Sequence, residues 1–143
     1  MKYKVIVAGG RDLQKKKPQV FVHLALAEEL EHFGVTHPIQ CEIVSGGAPG
    51  ADTMGEIFAR ATGSKIVPFL ADWNNLAEEP CKIRVNKYGR QYNCLAGFNR
   101  NTRMLKYGNR LIAFWDGEST GTKDMIDKAR AEYGPDNVRI INY

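Results

Sequence analysis

The chain has 143 residues, 43% of them hydrophobic and 25% charged, enough apolar material for the core of one domain and no more than one. No apolar run approaches the roughly 18 residues of a membrane span, and the start, Met1-Lys2-Tyr3-Lys4-Val5, enters a strand-like run without a signal-peptide pattern. The net charge of +4 suits an anionic small ligand and does not demand nucleic acid.

Lys4-Val5-Ile6-Val7-Ala8 reads as a buried strand, ended by Gly9-Gly10-Arg11-Asp12. Arg11 in that turn suits either a phosphate or a structural pairing with Asp12. Lys15-Lys16-Lys17 reads as a solvated loop. Pro18 to Phe33 is helical, with Val22, Leu26, Leu30 and Phe33 on one face and Glu28, Glu29 and Glu31 on the other. Cys41 to Val44 is the second strand. It runs into Ser45-Gly46-Gly47-Ala48-Pro49-Gly50-Ala51-Asp52, three glycines in five residues before a helix reaching Thr62. Strand, glycine turn and helix start together predict unpaired N–H groups that receive an anion.

Lys65 to Leu70 is the third strand, with Pro68 predicting an edge position. Residues 71–97 form a long segment without a clear helix, carrying a basic and aromatic hairpin, 82–86 against 91–94, around Lys87-Tyr88-Gly89-Arg90. It suits a lid, an oligomer arm or decoration. Asn99 to Tyr107 reads as a short helix whose start clusters Asn99, Arg100 and Asn101. Leu111 to Trp115 is a buried strand. It is followed by a second glycine and hydroxyl turn, Asp116-Gly117-Glu118-Ser119-Thr120-Gly121-Thr122, then a helix ending at Gly134, then a last strand, 138–141. Cys41, Cys81 and Cys94 form no CxxC, and His23, His32 and His37 have no ligand spacing. This predicts reduced thiols in a cytoplasm and no metal.

The alternation predicts an α/β, Rossmann-like parallel sheet of about five strands with helices on both faces, plus an inserted hairpin-like loop at 71–97 in a single domain, 1–143. In such a sheet ligands bind beyond the carboxyl ends of the strands, and every polar glycine turn follows a strand. Gly9, Gly10 and Arg11, then Ser45, Gly46, Gly47, Ala48, Gly50 and Asp52, then Asp72 and Trp73, then Asp116, Gly117, Ser119, Thr120, Gly121 and Thr122 converge on one edge, with Arg100 and Asn101 nearby. The two glycine turns suit a phosphate, Arg11 and Arg100 a charge, Asp72 or Asp116 ribose hydroxyls, and Trp73 or Trp115 a base.

These pieces, from Ala8-Gly9-Gly10-Arg11-Asp12 to Gly121-Thr122, resemble the SLOG superfamily of Rossmann-like domains, related to LOG and DprA proteins, and within it the YspA-like branch of small bacterial and phage proteins. The resemblance implies a nucleotide-derived ligand in a bacterial or phage-infected cell, no separate cofactor, and a homo-oligomer, dimer or tetramer. Two departures stand out. Pro49 occupies a place where the family commonly has arginine. Met125 occupies the place of the LOG catalytic glutamate, while Arg100 matches the LOG arginine in role. The resulting expectation is a sensor or sequestering protein for an ADP-ribose-like or nucleoside phosphate. The alternative is a nucleoside 5′-monophosphate N-glycosidase or other nucleotide hydrolase using Arg100 and Asp116, with Asp72 in support. DprA-like single-stranded nucleic-acid binding rests on the hairpin alone, and a solvated hairpin is the better reading of it, because nucleic-acid domains are usually more strongly basic.

Overall fold

The computed structural model describes residues 2–143. Seven strands and five helices alternate: β1 (Tyr3–Gly9), α1 (Leu13–Lys16), α2 (Gln19–His32), β2 (Cys41–Ser45), α3 (Ala51–Thr62), β3 (Lys65–Pro68), β4 (Ile83–Val85), β5 (Gln91–Asn93), α4 (Ala96–Tyr107), β6 (Arg110–Trp115), α5 (Thr120–Tyr133) and β7 (Val138–Asn142). Five strands form one parallel sheet in the order β3-β2-β1-β6-β7, while β4 and β5 make a separate antiparallel hairpin. The fold is therefore the expected Rossmann-like α/β sheet with an inserted hairpin.

The period-two alternation of each strand sorts the core into two layers. Val5 and Val7 of β1, with Ile112 and Phe114 of β6, face α2 and α3 and meet Val22, Leu26, Met54 and Phe58. Ile6, Leu111 and Ala113 point the other way, onto Met104 and Leu105 of α4 and Met125 and Ile126 of α5. Both faces of the central strands are buried, which is why they read as continuous apolar runs. Pro68 lies on β3, the edge strand, as its missing N–H requires. Among the described residues, no helix is long and apolar enough to cross a membrane.

The chain winds from β1 outward to β3, then returns through α4 to place β6 on the opposite side of β1. The strand order thus reverses between β1 and β6, and the loops leaving these two strands open a crevice.

Three local expectations are corrected. Lys15 and Lys16 belong to a short helix, α1, anchored by the buried Leu13 and by a Lys16–Asp12 ion pair of 3.1 Å, not to an irregular loop. Helix α4 begins at Ala96, three residues before Asn99, so Arg100 lies inside its second turn rather than at its start. The third strand also ends at Pro68, two residues early.

The loops after β1 and β2 touch backbone to backbone. Ala51 donates its N–H to the Gly10 carbonyl at 3.1 Å. Gly50, at φ +84°, stands so close that a Cβ there would lie 2.3 Å from the Gly10 oxygen and 2.6 Å from the Arg11 Cα. Both the dihedral and the space exclude a side chain. Gly50→Ala is expected to cost about 2 kcal/mol or more in urea unfolding. Gly121→Ala, which meets nothing within 4 Å, should leave stability within about 0.5 kcal/mol.

Candidate functional site

The crevice is a cleft of about 570 Å³ that opens into a second lobe of about 410 Å³, the two sharing Arg11, Ala48, Trp73 and Arg100 as walls. Of the residues proposed from sequence, Gly9, Gly10, Arg11, Ala48, Asp52, Trp73, Arg100, Asn101, Asp116, Ser119, Gly121 and Thr122 line the main lobe. Gly46 and Gly47 line the second. Ser45, Gly50, Asp72, Gly117 and Thr120 line neither. Ser45 is fully buried behind the loop, where its hydroxyl donates to Glu56 at 2.6 Å. Trp115 is also outside the cleft, its indole N–H donating to the Ser119 carbonyl at 3.0 Å. The structure adds Asp12, Cys94, Phe98 and Met104 to the walls. Gly97, Arg100, Asn101 and Met104 share one face of α4, at spacings of three and four residues, and that periodicity is visible once the helix start is placed at Ala96.

The first glycine loop does not offer the expected row of free N–H groups. Gly47 donates to the Ser45 hydroxyl, Ala48 to the Asp52 carboxylate at 3.2 Å, Gly50 to the Gln14 side chain at 3.4 Å and Ala51 to Gly10. Asp52, in the first turn of α3, also places a carboxylate at the positive end of that helix dipole. The loop is satisfied half by its own Ser45 and Asp52 and half by Gln14 and Gly10 of the neighbouring segment, and its helix start is compensated by its own acid.

Unpaired donors stand elsewhere around the cleft. Arg11 is exposed and makes no ion pair with Asp12, whose carboxylate is engaged by Lys16 and by the Tyr143 hydroxyl at 2.7 Å. Arg100 is 91% buried; its Nη1 donates to the Gly46 carbonyl at 2.5 Å and its Nε to the Asn101 side-chain carbonyl at 2.9 Å. Both acceptors are neutral, and Nη2 has no protein acceptor among the described residues. At the start of α5, Ser119 accepts from the Thr122 N–H, while the N–H groups of Thr120 and Gly121 find no partner among the described residues. Of these residues Arg11, Arg100 and Gly121 line one cavity, from three elements, and their donors favour an anion.

Two carboxylates in the cleft differ sharply. Asp116 accepts the N–H groups of Ser119 at 2.8 Å and Glu118 at 2.9 Å, which hold its pKa below the usual carboxylate range. It shapes its own turn. Asp52 is 93% buried, and burial pushes its pKa up to about 6 against the opposing pull of the Ala48 N–H, Arg100 and Arg11. Asp52 and Arg100 both crowd the open face of Gly46: a Cβ on it would lie 2.8 Å from both Asp52 Oδ2 and Arg100 Nη1. Because the folded-state pKa exceeds the unfolded value of about 3.8, Asp52 favours the folded state fully below pH 4, and this contribution is lost as pH rises through 6. Asp52→Asn should therefore match the wild type near pH 4. By pH 8 it should exceed it by about 2 kcal/mol in urea unfolding, a little under the full two-unit shift.

No curated protein and no solved structure matches the chain. A family model does match, over residues 3–75, just over half of the chain, and its description is the YspA, cpYpsA-related SLOG family. The matched span carries β1 to β3 with the Gly9–Asp12 turn, the glycine loop and Trp73, while Arg100 and the turn before α5 lie beyond it. Such membership points to nucleotide-related binding or ribohydrolase-like activity. Fold, cleft position and matched span agree, and the chain belongs to the YspA, cpYpsA-related SLOG family.

Proposed function

We propose that the cleft binds a nucleotide-derived, phosphate-containing small molecule and that the protein acts as its sensor or sequestering partner. The observation that carries this reading is the set of uncommitted donors on residues lining one cavity: the Arg11 guanidinium, Nη2 of Arg100, and the N–H group of Gly121 at the start of α5. A phosphate beside the α5 N-terminus and the two arginines would draw on all of them. Trp73, 40% exposed at the junction of the two lobes, offers a face to a base or ribose.

The hydrolase reading has lost most of its carboxylates. Met125 lines the cleft at the LOG glutamate position, Asp124 is paired with Lys128 at 2.9 Å, Asp116 is held in its turn and Asp72 lies outside. Asp52 is the acid with a proton to give near neutral pH, and it is the observation that keeps hydrolysis as the second reading.

Thermal-shift and calorimetric titration with AMP, ADP-ribose, NAD and cyclic nucleotides test the first reading. A ligand at a hundredfold its Kd should stabilise the protein by about 2.7 kcal/mol. Arg11→Ala, which removes no hydrogen bond or ion pair of the free protein, should weaken binding tenfold or more while leaving the free protein's stability within about 0.5 kcal/mol. No binding below millimolar across the panel would sink the proposal. Asp52→Asn separates the two readings. Removing a carboxylate beside the bound phosphate should tighten binding at pH 7.5 if the protein only binds. If chromatography shows release of base and sugar phosphate, the same variant should abolish it.

A further inference from the structure

Between Pro80 and Trp115 the chain carries eight lysines and arginines and no acid, so the mild total of +4 conceals one strongly basic segment on an otherwise net acidic chain. Four of these cations, Lys82, Arg84, Lys87 and Arg90, sit on the β4–β5 hairpin, and among the described residues none of the four makes an ion pair. The hairpin is not loosely attached. Asn93 is fully buried at its base, accepting from the N–H groups of Lys82 and Leu95, and Asn93 and Asn99 both donate to the Pro80 carbonyl.

The register sorts the hairpin into two faces. Arg84 is the cross-strand partner of Tyr92, and Ile83 of Asn93. Directly opposed residues share a face, and alternate residues along a strand do too. Lys82, Arg84, Tyr92 and Cys94 therefore lie on one side, with Arg90 continuing the alternation, and Ile83, Val85 and Asn93 lie on the other. Cys94, at the inner end of the basic face, is a wall of the cleft. Tyr92 meets Trp73 edge to face with centroids 6.4 Å apart, and Trp73 lines both lobes. A track of aromatic rings and cations thus leaves the cleft mouth and runs out along one face of a rigid hairpin. Its same-face residues recur about every 7 Å, comparable to the phosphate repeat of an extended single strand.

Resting on the reading of the cleft as a nucleotide site, we propose that its natural ligand is a chain of nucleotides. One terminal nucleotide would occupy the cleft, and the next two would run along the Tyr92–Arg84–Arg90 face of the hairpin. Stacking on Trp73 and Tyr92 and phosphate pairing with Arg84 and Arg90 are the expected contacts. Uncommitted cations beside a tyrosine suit a phosphodiester chain better than a mononucleotide, which the cleft alone would contain. The same chemistry is offered by a free short oligonucleotide and by the end of a long strand.

The test is calorimetric titration with 5′-phosphorylated oligoadenylates of one to six residues, on the full chain, at 50 and 200 mM salt. Affinity should rise at least tenfold from one to three residues and then level off, and the trinucleotide should show the steeper loss with salt. The double variant Arg84→Ala/Arg90→Ala should remove the length-dependent gain and keep AMP affinity within twofold. Tyr92→Leu should remove part of the gain. Equal binding of a trinucleotide and of a 20-mer would identify a strand end as the ligand, and exclusion of the 20-mer a free oligonucleotide. Affinity independent of length, or a gain that survives in the double variant, would overturn the extension and leave the cleft reading intact. Oligomer binding without AMP binding would overturn the cleft reading instead, and failure of both would overturn both. Sedimentation of the same variants closes the remaining route: a wild-type oligomer that the double variant turns into a monomer would make the hairpin an interface between copies and overturn the proposal.

Discussion

Gly10 ties the site together. Its N–H donates to Phe114 of β6 at 3.2 Å, and its carbonyl accepts from Leu13 at the start of α1 and from Ala51 at the start of α3. One residue thus links the strands on both sides of the point where strand order reverses to the two helices that leave the neighbouring loops. Gly50 closes the contact from the other side, with no room for a Cβ between it and Gly10. The backbone between these glycines can carry nothing but hydrogen bonds, so Arg11, next in sequence, projects at the junction of the two lobes. The position of the most accessible charge in the cleft follows from a backbone contact.

That contact also explains why the glycine-rich loop is not itself an anion nest. A helix start that is pulled against another loop uses its N–H groups to make the joint, and here Gly50 and Ala51 do so with Gln14 and Gly10. Ser45 and Asp52 take the next two, at Gly47 and Ala48. The glycines serve close approach, one of the two uses that small residues have in such turns. The helix start that keeps donors free is that of α5, where the turn is built by side chains, Asp116 and Ser119, and no second loop is pressed against it.

The layered sheet was legible because its signals are local. β-branched runs, turn glycines and amphipathic stretches specify elements, and their alternation specifies a parallel sheet. Pro68 on the edge strand and the hairpin within 71–97 are of the same kind. What sequence could not supply were partners chosen by the fold. Tyr143 reaches Asp12 across 131 positions and so releases Arg11 from the pairing that adjacency suggested. Gln14 caps a helix that starts 37 residues later. Asp116 and Asp52 are equivalent acids in a sequence. Only burial and the number of N–H groups reaching each carboxylate separate one held ionised in its turn from one pushed toward its protonated form.

The electrostatics of Arg100 bear on what the cleft is for. A buried guanidinium is ordinarily matched by a carboxylate, since desolvating a cation without one is costly. Arg100 instead rests on two neutral oxygens, of Gly46 and Asn101, and makes no ion pair with Asp52 although both side chains pack against the bare Cα of Gly46. Burial pulls its pKa down from the usual arginine range, and Asp52 only partly opposes this. Two opposite charges thus line one cleft without forming an ion pair. The spacing leaves the cation under-compensated and the acid under-solvated, and an anion entering beside Arg100 would correct the first while favouring protonation of the second. Binding would then be accompanied by proton uptake at Asp52. A cleft built merely to be stable would gain from letting Asp52 and Arg100 meet, and the absence of that pair is what the proposed anion site would require.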